Sequence, residues 1–526
     1  MAVYEITSFR GGISDWGDKG PPGAFKFGKN LDIRKETDSI SANQALIDEG
    51  LDTGNSPSLS VSPSLSISRT PSSSPSASVS PTPSPSLSVS PSVSVSKSPS
   101  ITESASISLS PSPSAGLTTV FEDLIRFFVK CSDGFTYGFG STGHVYRRDS
   151  DGFWIWVYKD ANGAIKGAEE KPSSTGNTYL YWATDRQLNR KKIPGLANWN
   201  DVEVVNNNLE SADWHTMKQI GGALKICNRD MLALVGYDDS YTNEALDLIP
   251  GNIAKTIVER NGRSIIGTYK INDPDKGINS AIDSEYPLIQ VGDDGYVYFA
   301  NMSDSISVKR FPGGGKTNPG GVCNEIEQIE MFEWEETALS WIDKQSVGNL
   351  ALFAVYGADT GRGGIYSYGR RNKNKPFVMN LEYQLDADEL GAIVNINGVT
   401  LVSYRDGTDF GVKAVDLTLK AEAVWEGLDL KAPVKKPVNI TKWTVAEAFM
   451  KPLPAGSYVQ FWYKLNKTGE FIQANVADGN TNFSTADALK ADFLVQGEGE
   501  IFEPKIVVHP IGNLTPEVYR LRINFI

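Results

Sequence analysis

The chain has 526 residues, too many for one ordinary domain and enough for about two or three. Its 49 glycines and 28 prolines, set among 20 Tyr and 22 Phe, favour a turn-rich β protein over a helical one. With 50 basic against 63 acidic residues the formal charge is −13, which argues against a surface that grips phosphates, because such binding rests on basic patches.

The cysteines at 131, 227 and 323 are widely spaced and lack any CxxC pairing. That excludes a disulfide framework and a zinc site, and predicts a small buried side chain at each. No apolar run approaches the length of a membrane-spanning helix, so no membrane span is expected. The opening MAVYEITSFRGG lacks a basic region followed by an apolar one and does not read as a signal peptide.

Along the chain, four regions are expected. Residues 1–53 form an N-terminal segment, and 54–116 form a Ser/Thr/Pro-rich low-complexity insert. From Ser56 to Ser114 every even-numbered position is Ser or Thr, and every proline is odd-numbered. This composition buries too little apolar surface to offset chain entropy, which reads as a disordered linker. The strict period of two also suits an extended ribbon or polyproline-like spike built from several copies, reaching on the order of 180 Å. The two readings stand side by side.

Residues 117–432 read as a β-propeller body of about six or seven blades, with a multi-sheet sandwich as the alternative. Its units are apolar runs joined by glycine turns. Ile125–Val129 leads through Ser132-Asp133-Gly134 to Phe135, and Asn177 opens a strand of aromatics. Met217–Ile220 meets Gly221-Gly222, Ile257-Val258 meets Asn261-Gly262, and Leu288–Val291 meets Asp293-Asp294-Gly295. Leu350–Tyr356 precedes Gly364–Tyr368, and Ile393–Ile396 turns at Asn397-Gly398. Asn-Gly and Asp-Gly supply the positive φ that tight hairpins need. The units recur at roughly 35–55 residues, the period of four-stranded blades, although no WD or kelch signature is present.

Residues 433–526, after a linker around Lys431-Ala-Pro433, read as a C-terminal β-sandwich or jelly roll. The strands are Tyr458–Leu465, Phe471–Val476, Phe502–Val508 and Val518–Phe525, with one short helix-like stretch at Thr485–Leu494.

A search for chemistry assigns no catalytic residue, no cofactor-binding residue and no metal ligand, so the chain reads as no enzyme and as needing no cofactor. His144, His215 and His509 lack ligand spacing and are expected on the surface or half-buried in strands. Arg310-Phe-Pro-Gly-Gly-Gly-Lys-Thr317 has Arg310 where a phosphate loop opens with glycine, and Asn318-Pro319 follows where a helix should start. The carboxylate pairs Asp293-Asp294, Asp386-Ala-Asp-Glu389 and Glu333-Trp-Glu-Glu336 read as solvated loop charges rather than a glycosidase dyad. Asp273-Pro-Asp-Lys-Gly277 lacks the later acids of a calcium loop. Phe153-Trp-Ile-Trp156 and Tyr179-Leu-Tyr-Trp182 could stack on sugars, but alternation sends half of each cluster into a core.

The ends of the chain carry a resemblance. Phe9-Arg-Gly-Gly-Ile13, Pro21-Pro-Gly23, Asn30-Leu-Asp-Ile-Arg34 and Thr37-Asp-Ser-Ile40 resemble the start of bacteriophage tail proteins with a β-propeller body, related to podovirus tail nozzles. Pro452-Leu-Pro-Ala-Gly-Ser-Tyr-Val459, Phe502-Glu-Pro-Lys-Ile506 and Thr515-Pro-Glu-Val518 are similar to sandwich modules of phage tail proteins. The Ser/Thr insert departs from the nozzle pattern.

The resemblance implies a structural virion protein of the tail (nozzle, hub or tip), made in the host cytoplasm. It further implies a ring-like homo-oligomer joined to other tail or connector proteins, with an acidic passage that does not hold DNA. It also implies that a strand near Asp38–Leu46 completes the last blade and removes an open edge. The competing function is a receptor- or glycan-binding adhesin projected on the Ser/Pro stalk.

Overall fold

The computed structural model describes residues 2–9, 24–32, 39–52, 121–195, 199–248, 251–260, 263–270, 288–291, 297–302, 305–311, 327–333, 338–339, 345–347, 350–356, 361, 363–369, 378–431 and 441–526. The insert at 54–116 lies outside them, as do Cys323, the glycine loop 312–317, the acidic loop 273–277, Asp293-Asp294, the turn Asn261-Gly262 and residues 334–336. The fold is all-β, with several four-stranded antiparallel sheets consistent with propeller blades.

The first sheet comprises Ile125–Lys130, Thr136–Gly140, His144–Arg148 and Trp154–Lys159, with Leu51–Asp52 added at the outer edge. The second runs from Gly167–Pro172 through Thr178–Ala183 and Leu188–Ile193 to Glu203–Asn206. The third contains Met217–Ile220, Ala223–Asn228, Met231–Val235 and Tyr241–Asp247. A two-stranded fourth, Asn252–Arg260 with Arg263–Lys270, precedes a fifth running from Leu288–Val291 to Glu327–Glu333. The sixth group, Gln345–Val347, Leu350–Tyr356, Gly364–Gly369 and Val378–Gln384, belongs to an 11-stranded sheet. The seventh contains Glu389–Ile396, Val399–Asp406 and Asp409–Lys420, and its outermost strand is Gln44–Asp48.

Hairpins form where the turn residues were read. Asn397 and Gly398 both have positive φ (52° and 92°), the combination of a two-residue hairpin turn, and Gly221 and Gly222 (61° and 84°) repeat it. Inner strands such as Thr136–Gly140, Thr178–Ala183 and Val378–Gln384 then bury side chains on both faces. Trp182 enters one core with Phe139, Val145 and Leu180, while its neighbour Tyr181 enters another with Leu224, Ile226 and Val235. A strand sandwiched between two sheets has no solvent face, so its apolar run is continuous rather than alternating.

Among the described side chains, neighbouring sheets share cores. Phe127, Phe139 and Trp182 join first to second; Tyr181 and Leu224 join second to third; Cys227, Leu232 and Ile257 join third to fourth. Asn252–Arg260 lies beside Leu288–Val291, which lies beside Gln345–Val347. Leu352, Ile365, Leu390 and Val402 join sixth to seventh. Phe121, Tyr146 and Trp154 then meet Val394, Leu401 and Val412, so the seventh packs back on the first.

The N-terminal segment divides among four sheets, with Leu51–Asp52 in the first. Ala2–Ile6 pairs antiparallel with Val518–Phe525, starting at Ala2 opposite Phe525. Phe25–Lys29 inserts between Val378–Gln384 and Ala423–Gly427. The strand expected near Asp38–Leu46 is found at Gln44–Asp48; Ile40 and Ala42 instead sit in the core of the C-terminal layers.

Those layers are a five-stranded sheet (Ala2–Ile6, Val518–Phe525, Thr441–Met450, Lys490–Gly499, Asn475–Val476) and the strands Ile501–His509, Tyr458–Leu465 and Thr468–Gln473. They share one core that includes Trp443, Phe461, Phe493, Phe502 and Leu521. The second layer continues through Ala423–Gly427 into the 11-stranded sheet, so hydrogen bonding crosses the expected boundary at 432/433. Residues 485–494 are not helical, and strand begins at Lys490. Ala491, Phe493 and Val495 are buried while Lys490 and Leu494 are exposed, and this period of two outweighs the local helix propensity. Among the described residues, no helix is long and apolar enough to cross a membrane.

Candidate functional site

The densest chemistry among the described residues is a series of acids at the joints between sheets. Asp160 follows the strand Trp154–Lys159 and is buried. Its Oδ1 accepts from the backbone N–H and side-chain amide of Asn162, each at 2.9 Å, and its Oδ2 accepts from Trp182 Nε1 and Asn189 Nδ2, each at 2.8 Å. Four donors saturate the carboxylate and tie the first sheet to the second. Asp239, beyond the third sheet's strand Met231–Val235, reaches the second. It accepts from Lys171 Nζ at 2.7 Å and Ser173 Oγ at 2.6 Å, with Arg190 Nη1 at 3.7 Å. Burial alone would raise the Asp239 carboxyl, but the Lys171 ammonium and Ser173 hydroxyl outweigh it and hold it below the usual carboxylate range. Lys171 is fully buried, so this partner is what keeps its charge tolerable.

Asp185 behaves likewise. Burial raises its carboxyl, yet Lys166 Nζ at 2.7 Å and the Ser211 hydroxyl at 3.0 Å bring it below its ordinary value. Glu49, immediately after the strand Gln44–Asp48, accepts from Arg148 Nε at 2.9 Å and Trp154 Nε1 at 2.8 Å, and pairs with Arg148 Nη2. Its neighbour Asp48 accepts from Tyr404 Oη at 2.8 Å and Lys413 Nζ at 2.9 Å in the seventh sheet.

Asp123, His144 and Thr142 contain the side-chain types of a nucleophile relay but lack its geometry. Asp123 accepts from the Ser141 hydroxyl at 2.6 Å, the Thr142 N–H at 2.7 Å and the Thr142 hydroxyl at 2.8 Å. Burial raises its carboxyl, while the hydrogen bonds from His144, Ser141 and Thr142 together carry it below its ordinary value. The Thr142 hydroxyl gives its proton to Asp123 and so accepts from His144 Nδ1, 3.0 Å away, which assigns the ring proton to Nδ1. In a relay the nucleophile and the carboxylate sit on opposite ring nitrogens. Here Thr142 and Asp123 share Nδ1, and although Glu122 Oε2 lies 3.4 Å from Nε2, the Thr142 hydroxyl is turned to Asp123 and not to the ring. The arrangement holds a ring in place and leaves no base aimed at a hydroxyl.

Two of the expected histidine placements are corrected. His144 and His215 are buried, because each closes a polar joint that sequence separation hides; His509 is half-buried, stacked on Tyr458 and 3.0 Å from Glu422. Cys131 and Cys227 are buried and free, and burial pushes the Cys131 thiol far above its ordinary value. Asp388 and Glu389 pair with Arg405, and Asp386 accepts from Gln384. Among the described residues, no group of three or more His, Cys, Asp or Glu side chains is placed to hold a metal ion. The aromatic clusters split: Trp154, Tyr181 and Trp182 are buried, whereas Phe153 and Trp156 are exposed.

The stapling acids escaped the sequence reading, although a signal exists. Lys159-Asp160-Ala-Asn-Gly163 and Tyr237-Asp238-Asp239-Ser240 both place aspartate in a turn that follows a strand, the first after Trp154–Lys159 and the second after Met231–Val235.

No family model matches the chain, and no curated protein matches it. Its similarity to solved structures is distant and includes β-propeller proteins. Virginiamycin B lyase from Staphylococcus aureus aligns at 12% identity and a TM-score of 0.37, over 56% of this chain and 96% of that one. YCF48 bound to D1 peptide aligns at 8% identity and 0.35, over 56% and 93%. The extracellular domain of a hybrid two-component system from B. thetaiotaomicron aligns at 12% identity and 0.39, over 76% and 55%. Likeness at this level carries no argument about function.

Proposed function

We propose that the chain is a non-catalytic structural part of a bacteriophage virion tail, a nozzle, hub or tip component. In this reading the body is a β-propeller of six or seven blades with a C-terminal β-sandwich. Copies assemble as a ring, contact other tail or connector proteins, and present acidic surface to a passage that DNA crosses without being held. The protein is made in the host cytoplasm and resides in the tail.

One observation carries the rigid-part reading: the run from Gln44 to Asp52 serves two sheets at once. Gln44–Asp48 pairs with the seventh sheet, Leu51–Asp52 adds to the first, and Asp48 and Glu49 each anchor a side-chain cluster on one of them. A joint made by a strand from the distant N-terminus removes a free edge and makes the succession of sheets mechanically continuous. The four donors fixed on Asp160, and the bonds by which Asp123 and Asp239 hold neighbouring strands and turns, support a load-sharing role. The tail assignment itself rests on the terminal motifs of the sequence.

Negative-stain imaging of the purified full-length protein, with light scattering for mass, tests this. Rings of defined copy number are expected, whether alone or with virion extract. A monomer that never enters a virion-derived ring would overturn the reading. The adhesin alternative draws on the exposed Phe153 and Trp156, and saturable glycan binding by the monomer would favour it.

A further inference from the structure

On the face of the first sheet that meets the seventh, Phe121, Tyr146 and Trp154 are buried. Trp156, paired across strands with Tyr146, continues that row and yet is 57% exposed. Tryptophan on a core-facing row is normally covered, and here nothing of the described chain covers it. The ring is nonetheless fixed. Its Nε1 donates to Tyr158 O at 2.9 Å, and the His144 ring stands edge-on with centroids 6.0 Å apart.

Beside this platform stands Glu122, whose side chain is 77% exposed. His144, its side chain only 5% exposed, is aimed at the same spot from below, with Nε2 at 3.4 Å from Glu122 Oε2. Nδ1 is engaged by Thr142 and Asp123 on the far side of the ring, so Nε2 is the ring atom turned toward this carboxylate. An exposed carboxylate thus stands beside an exposed indole, two groups that one planar cation can engage together. Among the described residues, neither Glu122 nor Asp123 forms an ion pair with Lys or Arg, so the negative charge at this spot lacks a strong cation.

We propose that this surface receives a guanidinium group, the arginine side chain of a partner polypeptide. A guanidinium lies flat on the indole face, gives N–H donors to the Glu122 carboxylate and neutralises its charge. A lysine ammonium has no flat face to stack, and a neutral sugar would leave the charge uncompensated. The inference stands apart from the virion reading and does not need it.

The test titrates N-acetyl-arginine methylamide into the full-length protein and follows the Trp156 indole N–H resonance, assigned with Trp156→Phe. N-acetyl-lysine methylamide and methyl β-glucoside serve as comparison probes. The arginine probe should shift the resonance saturably, bind at least about threefold tighter than the lysine probe, and weaken about fivefold or more in Glu122→Gln and at high salt. Glu122 is exposed, so that substitution leaves the fold intact. An unmoved resonance, equal response to the lysine probe, affinity unchanged in Glu122→Gln, or a response to the glucoside alone would each overturn the assignment.

Discussion

At the residue scale, the side chains with the most chemistry are held by the most partners. Asp160 shows what that holding is worth. Asp160→Ala strands Trp182 Nε1 and Asn189 Nδ2 in a buried place without an acceptor. Each orphaned donor costs its desolvation, and the loss should be about 2–4 kcal/mol in urea denaturation. Asp160→Asn should not rescue it, because an amide NH₂ must face donors on one side or the other, Trp182 and Asn189 or Asn162. Rescue by asparagine would show that charge and acceptor count are unimportant at this joint.

His215 gives the pH dependence. Both ring nitrogens lie 2.9 Å from carbonyl oxygens, Nδ1 from Cys227 and Nε2 from Asp185, joining the second sheet to the third. Burial lowers its pKa from the ordinary 6.5, with Lys166 adding to the lowering and the two carbonyl contacts and the Asp185 carboxylate opposing it. The unfolded chain therefore takes a proton before the folded one. The resulting stability is complete above pH 6.5 and is lost as pH falls from there toward the folded value, at up to about 1.4 kcal/mol per pH unit. Asp185 and Asp239, whose carboxyls are held low, lose their contribution in a separate and more acidic window. His215→Gln should flatten the slope below pH 6.5, as read by chemical denaturation at a series of pH values. A slope unchanged in His215→Gln would assign it to other groups.

At the element scale, hairpins were the legible part. Gly398 sits at φ 92° with open space around a built Cβ, so Gly398→Ala should cost only the conformational term, about 1 kcal/mol. Gly143 sits at φ 101° with a built Cβ 2.7 Å from Asp160 O and 2.8 Å from Gly163 O, so Gly143→Ala adds a clash with backbone that cannot swing away. Thermal melts of the two variants should separate clearly, with Gly143→Ala the less stable. Equal melts would mean that the turn beside Asp160 yields freely.

Turns of this kind announce themselves because their cause is local: two residues must tolerate positive φ. Pairings across the chain have no such local cause. Ala2 opposite Phe525, Lys29 opposite Leu381 and the strand Gln44–Asp48 on Asp409–Lys420 depend on which edges stand free once other sheets have formed. The same holds for the site. That Trp154 is buried and Trp156 exposed is invisible to alternation, which puts both indoles on one face. His215 escapes alternation for this reason too, since Asp185 reaches it from the second sheet's turn, while His144 is buried by Asp123 at the entry to its own sheet.

At the scale of the whole molecule, the question is whether the sheets behave as a ring or as a row. In a row of repeats each unit leans only on its neighbours, and a weakened joint lets one end fray. In a closed succession no end is free, and a weakened joint lowers the stability of all. Leu401 and Leu224 offer a matched comparison, both fully buried. Leu401 lies in the core shared by the seventh and first sheets, Leu224 in that shared by the second and third. Leu401→Ala and Leu224→Ala should each cost about 2–5 kcal/mol. In a ring, both variants should keep one urea transition, with tryptophan fluorescence and far-ultraviolet dichroism coincident, and amide exchange should accelerate in both joints whichever is mutated. In a row, Leu401→Ala should loosen the first and seventh sheets while the second and third stay protected. The strand Gln44–Asp48 makes the ring outcome the expected one, because the seam it covers belongs to the first sheet and the seventh together, and separating either exposes the anchors of Asp48 and Glu49 at the same time.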